Sequence, residues 1–177
     1  MVNMAKTFLA ALAMLSLLAA SCRQREEPEP AFTTAAAPPR VIAEQLRMPL
    51  VAGEGQAALE DFRGKVLLVD FFGGSMEECR AEIPPLNALL AEMNGKPFAL
   101  LGIAMDLKPQ IYVADDMRDA QPAFPYVLGG KPARQAFPSV HVLPTKWLLD
   151  RSGNIVKRYE GATPLTQIRA DMDELLK

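Results

Sequence analysis

The sequence is poor in the residues that build redox pairs and metal centres. It holds two cysteines, Cys22 and Cys79, and a single histidine, His141. One histidine excludes any multi-histidine metal site. Two cysteines leave Cys22–Cys79 as the one conceivable bridge within the chain, and Cys22 stands on an extended tail. Strong charge of either sign is also missing. The net charge is −2 and no Lys/Arg cluster stands out, which argues against a nucleic-acid partner. The uncharged apolar run Phe8 to Ala20 is too short to span a bilayer comfortably. No internal repeat is present.

What is there suits one globular domain with an N-terminal extension: 177 residues, 50% hydrophobic and 23% charged. Lys6 gives a positive n-region, and small residues, Ala19-Ala20-Ser21, follow the apolar run and precede Cys22. Residues 1–21 therefore read as a signal peptide. Its end resembles a bacterial lipobox, in which Cys22 is acylated and becomes the first mature residue. The alternative is an ordinary secretory signal with a chance cysteine. Ala19 stands where a lipobox usually has Leu, with Leu18 one step earlier. Arg23 after the cysteine, in place of Asp, leans toward the outer membrane by analogy with Gram-negative sorting. Acylation of Cys22 leaves Cys79 as the only thiol of the mature protein. Residues 22–40 carry the Pro-, Ala- and charge-rich stretch RQREEPEPAFTTAAAPPR, without apolar periodicity, and read as a linker. Such a spacer reaches roughly 50 Å, a length suited to holding a domain off a membrane.

The folded domain is expected over residues 41–177. Leu46 to Val51 suits a first strand or extended segment. Lys65 to Phe72 and Phe98 to Met105 are nearly continuous apolar runs, as expected of strands buried on both faces. Met76 to Met93 reads as one helix and Pro109 to Met117 as a short one. Arg118 to Val140, rich in Pro and Gly, gives no clear element. Lys146 to Leu149 and Ile155 to Tyr159 flank Asp150-Arg151-Ser152-Gly153-Asn154, a hairpin signal. Leu165, Ile168, Met172, Leu175 and Leu176 mark one face of a closing helix. Strands alternating with helices, then a hairpin and a helix, predict an α/β sandwich: a central mixed β-sheet with helices on both faces.

Three stretches carry a resemblance: Gly64-Lys65-Val66-Leu67-Leu68-Val69-Asp70-Phe71-Phe72, Cys79-Arg80-Ala81-Glu82-Ile83-Pro84, and Leu143-Pro144-Thr145-Lys146-Trp147-Leu148-Leu149-Asp150. Together they resemble the thioredoxin-like superfamily, in its membrane-anchored TlpA/ResA-type branch of redoxin-related thiol-disulfide oxidoreductases. The resemblance covers most of Leu46 to Lys177. It implies an active-site turn at Phe71 to Pro84 that would normally hold Cys-x-x-Cys. Here the turn reads Met76-Glu77-Glu78-Cys79. A thioether neither ionises nor forms a mixed disulfide, so the dithiol centre is degenerate. Ser75 replaces the tryptophan that often precedes the first cysteine.

Local chemistry gives Ser75 another role. Ser75-Met76-Glu77-Glu78 fits a capping box, with Ser75 as N-cap, and both glutamates suit the positive end of a helix dipole. Cys79, Ile83, Leu86, Leu90 and Met93 share one apolar face, which favours an inert core thiol over a reactive one. Burial and the adjacent carboxylates of Glu77 and Glu78 are expected to raise its pKa. Asp70 is either the buried carboxylate that assists the second cysteine in the family, hence a proton acceptor, or a polar strand end that reaches water. Pro144 matches the family's cis-proline, beside which extended peptides pair by strand addition.

Three functions follow as expectations. The first is a lipid-tethered binding or assembly module, with a groove formed by Ser75, Met76, Leu143, Pro144 and Thr145 holding an envelope protein or peptide segment. The second is a single-thiol oxidoreductase or peroxidase-like enzyme using Cys79. The third is Cu(I) handling by Met76, Cys79 and His141, ligands of suitable softness. No cofactor is expected. The membrane is reached through the lipid anchor, and the domain faces the periplasm.

Overall fold

The computed structural model describes residues 46–107, 110–137 and 140–177. The expected signal peptide, Cys22, the expected linker and the expected domain start at Val41 lie outside the described residues. Among those described, no helix is long and apolar enough to cross a membrane.

The chain opens with a small hairpin, β1 (Arg47–Pro49) and β2 (Gln56–Ala58), so the expected Leu46–Val51 strand is shorter than its apolar content suggests. A 3-10 turn (Leu59–Phe62) leads to β3 (Val66–Phe72), in which every residue is buried. Then come α1 (Glu77–Ala81), α2 (Ile83–Glu92), β4 (Phe98–Ala104) and α3 (Gln110–Asp116). The Pro/Gly-rich stretch, unassigned by pattern, contains β5 (Tyr126–Leu128) and α4 (Gly130–Ala136). The chain ends with β6 (Thr145–Leu149), β7 (Ile155–Glu160) and α5 (Leu165–Leu175).

The five-stranded sheet runs β5-β4-β3-β6-β7. β3 pairs parallel with β4 and antiparallel with β6, so it is central and buried on both faces, as its apolar run predicts. Side chains of a strand alternate between faces. Val66, Leu68 and Phe72 enter one core with Cys79, Ile83, Leu86, Leu148, Ile168 and Met172. Leu67, Val69 and Phe71 enter the other with Leu101, Phe137 and Trp147. The α/β sandwich expected from sequence is what forms. The same alternation sends Asp70 to the face that carries Cys79.

The expected single helix Met76–Met93 is two helices, broken at Glu82. Pro84 and Pro85 are the cause. Neither has an N–H to donate to Arg80 or Ala81, and their rings crowd the carbonyls four residues earlier. Both are well accommodated in the first turn of a new helix, where those donors have no partner in any case. The break also shifts the buried face: Leu89 is buried, whereas Leu90 is only partly so.

Candidate functional site

The site is built around Gly73, directly after β3. Its backbone N–H donates to Cys79 Sγ at 3.5 Å, and its carbonyl accepts from Met76 N–H at 3.0 Å, closing a tight turn over 73–76. Ser75 is the third residue of that turn and exposed, so the capping box is not formed. Met76 is the N-cap instead, in extended conformation and without a side-chain cap. Glu77 and Glu78 still occupy the first helical turn, where the dipole favours them. Gly74 N–H donates to Asp106 Oδ2 at 2.8 Å, and Arg80, paired with Glu77, donates to the Gly74 carbonyl at 3.4 Å.

Met76 folds back close to Gly73. A Cβ there would lie 2.9 Å from Met76 Sδ and 3.0 Å from its Cγ. Leu143 Cδ1 stands 3.7 Å from the same point. The turn and the Leu143-Pro144 loop therefore meet at Gly73. The Leu143–Pro144 peptide is cis, and Pro144 is buried. Thr145 is buried too, but its hydroxyl donates to the Val142 carbonyl at 2.7 Å and is not directed to a ligand.

Beneath the turn lies a buried ionic cluster. Asp70 is 0% exposed, so it is not a polar strand end that reaches water. It stands opposite Lys146 in the β3–β6 register. Lys146 Nζ, 1% exposed, lies 3.2 Å from Asp70 Oδ1 and donates to Glu82 Oε2 at 2.6 Å. The approach to Asp70 is off the hydrogen-bond direction, so that contact is an ion pair, and neither Asp70 oxygen has a directed partner. Sequence reading missed Lys146 and Glu82. The available signal was a lysine between Thr145 and Trp147 at the start of a strand otherwise apolar, because buried lysines are rarely unpaired.

The cluster sets the local titrations. Burial pushes the Asp70 carboxyl up, against the opposing pull of Lys146. Burial likewise pushes Glu82 up, with Lys146 opposing and Asp70 adding to the rise. For Lys146, burial acts downward, but the two carboxylates outweigh it and the net shift is up. The Cys79 thiol is 1% exposed and is pushed up to about 11. Burial is the largest cause, the Gly73 N–H opposes it, and the negative neighbours are Asp70 and Glu82. The expected contribution of Glu77 and Glu78 is thus replaced by carboxylates from β3 and the helix break, with Lys146 opposing. His141 is exposed, whereas Cys79 is buried. Among the described residues, no group of three or more His, Cys, Asp or Glu is arranged to hold a metal ion.

Among the described residues, the exposed large hydrophobics are Leu107, Tyr112 and Val142, at 100%, 56% and 51%. Leu107 follows Asp106, which holds Gly74. Tyr112 precedes Val113, whose Cγ1 lies 3.3 Å from a Cβ placed on Gly74. Val142 precedes Leu143. All three adjoin residues that touch the turn, and no sequence periodicity marks them.

Three outcomes are expected. In the native full-length protein, peptide-resolved alkylation of Cys79 at pH 8 is negligible and becomes complete on denaturation, because its thiolate fraction is only about one in a thousand at a pKa of about 11. Rapid native labelling would contradict the burial. For Asp70, the folded pKa lies above the unfolded one, so its stabilising contribution is present at low pH and is lost as pH rises through the folded value. Asp70→Asn is therefore expected to unfold at a higher temperature than the parent at pH 8, with the gap closing toward pH 4. Lys146→Met, which leaves two buried carboxylates uncompensated, is expected to cost about 3–5 kcal/mol at pH 8 in denaturant titrations.

Comparison with known proteins agrees with this geometry. The AhpC/TSA family model matches residues 41–171. Thiol-disulfide oxidoreductase ResA of Bacillus thuringiensis subsp. konkukian is 26% identical over 121 residues, which is 67% of this chain and 66% of that protein. The crystal structure of a putative thiol:disulfide interchange protein DsbE from Chlorobium tepidum superposes with TM-score 0.65 at 22% identity, covering 81% of this chain and 97% of that one. That of a secreted thiol-disulfide isomerase from Corynebacterium glutamicum gives TM-score 0.69 at 18% identity, covering 84% and 93%. The fold is the thioredoxin fold. From the turn after β3, the mixed sheet and these matches together, the chain belongs to the AhpC/TSA family.

Proposed function

We propose that this chain is a lipid-anchored, envelope-facing thioredoxin-fold protein that has given up dithiol exchange and serves as a binding or assembly module. The observation that carries this reading is the state of the turn: its one thiol is buried and protonated at neutral pH, and a thioether stands three residues before it. Dithiol exchange needs an accessible thiolate and a second sulfur that can form a disulfide with it. The secreted relative supports an envelope setting. Anchoring through Cys22 rests on the lipobox resemblance.

The partner segment would lie between Ser75-Met76 and Leu143-Pro144-Thr145. Leu107, Tyr112 and Val142 are exposed apolar side chains that adjoin residues touching the turn. Burial of Cys79 weighs against a single-thiol oxidoreductase or peroxidase, because the thiolate is the nucleophile. The Cu(I) reading requires an exposed His141 and a buried Cys79 to meet at one ion, which their environments disfavour.

Two measurements test the reading. The parent protein is expected to show no disulfide reductase turnover, whereas Met76→Cys gains measurable turnover through a disulfide between the introduced thiol and Cys79. Turnover by the parent would overturn the loss of exchange, and a folded variant that never forms the bridge would overturn the placement of the turn. A photoreactive cross-linker at position 76 is expected to capture one envelope protein that the same group at Glu174, on α5, does not. Equal recovery at both positions would remove the groove as the binding site.

A further inference from the structure

Met76 differs from the other methionines of the described residues. Met48, Met93, Met105, Met117 and Met172 are buried, and Met76 is only partly so. Its side chain folds back over Gly73, with Sδ 2.9 Å and Cγ 3.0 Å from the position of a Cβ on that glycine. Leu143 closes the contact from the neighbouring loop, at 3.7 Å from the same position. Gly73 in turn holds Cys79 Sγ through its N–H at 3.5 Å. Met76 and Leu143 are both packed, partly buried, against the core cluster that contains Cys79. The thioether thus lies against the glycine whose N–H holds the thiol, in an apolar setting.

We propose that Met76 is an oxidation site that governs access to Cys79: its sulfoxide leaves the Gly73–Leu143 contact and opens the thiol to solvent. The oxidant is hydrogen peroxide or hypochlorous acid. A sulfur lone pair of Met76 forms the S–O bond as the O–O or O–Cl bond breaks. Sulfur is oxidised by two electrons, and the oxidant is reduced to water, or to chloride with release of a proton. The product is polar, and an unsatisfied polar group against Leu143 and Gly73 is costly, so water becomes its better environment. The five buried methionines are shielded from the same reagent. Methionine sulfoxide reductases return the thioether and with it the cover. No bound partner is needed, so the inference is independent of the binding reading.

The test uses the full-length protein under limiting peroxide, with peptide mass mapping and a short native alkylation at pH 8. Met76 is expected to gain oxygen before Met48, Met93, Met105, Met117 or Met172. Cys79 labelling is then expected to rise by roughly two orders of magnitude, the gain in thiolate fraction as a thiol at about 11 returns toward about 8.5. Added oxygen on Cys79 itself, found only alongside Met76 sulfoxide, counts equally as opening. Reductase treatment restores slow labelling. Met76→Leu keeps an apolar cover without the oxidisable sulfur and shows no peroxide response, whereas Met76→Gln labels without peroxide. Circular dichroism checks each variant for folding, and the sulfoxide form of the parent protein carries the test if Met76→Gln fails to fold. The proposal is overturned by prior oxidation of a buried methionine, by Met76 sulfoxide with unchanged Cys79 labelling, or by a Met76→Leu response equal to that of the parent.

Discussion

The ammonium of Lys146, 1% exposed, sits between the Asp70 carboxylate of β3 and the Glu82 carboxylate at the break between α1 and α2, and the site is organised around that charge. Removing one partner of a buried ion pair leaves an uncompensated charge, so the three groups constrain one another. Asp70 is fixed by the central strand and Lys146 by its register opposite it. Glu82 is then drawn to the same point, which holds the helix break over the sheet. The two residues that precede Lys146 in β6 and its loop are Thr145 and Pro144, so the cis-proline loop leads directly into the same residue. Helix start, sheet centre and Leu143-Pro144 loop are thus joined through one side chain.

That arrangement also decides the thiol. Reactive cysteines of this fold sit at a helix N-terminus, where the dipole and free N–H groups lower the pKa. Cys79 is three residues beyond the N-cap, inside α1, and faces the core. One N–H, from Gly73, does reach its sulfur. Burial and the negative charges of Asp70 and Glu82 outweigh it, and the net effect is upward, to about 11. The position that would carry the exposed nucleophile holds a thioether that lies against the turn. The turn thus holds one buried thiol and one partly buried thioether.

Long, strongly patterned segments were legible in the sequence. β3 and β4 are buried at every position, and an apolar run of Val, Leu, Phe and Ile has few other places to go. The hairpin between β6 and β7 was legible because Asp150 makes its own turn, accepting from the backbone N–H of Ser152 at 2.9 Å and of Asn154 at 2.8 Å. β5 and α4 were not. β5 has three residues and owes its form to pairing with β4, opposite Gly102, Ile103 and Ala104, so no local pattern announces it. The helix break at Glu82 was written in Pro84-Pro85, yet apolar spacing that continues through both helices masks it. Ser75 failed as a cap because the turn closed by Met76 and Gly73 shifts the helix start by one residue.

The sequence by itself determined what chemistry is excluded. A turn with one cysteine and one methionine cannot cycle between dithiol and disulfide, and one histidine cannot make a multi-histidine metal site, because these limits depend only on which atoms are present. It also determined the fold, through apolar runs whose burial leaves few arrangements. Only the tertiary structure decided the state of what remains. The acidity of Cys79, the pairing of Asp70 with Lys146, and the seat of Met76 on Gly73 depend on solvent access and on distances of a few ångströms. The groups involved, at positions 70, 79, 82, 143 and 146, come from separate elements, and only the packing of those elements brings them together.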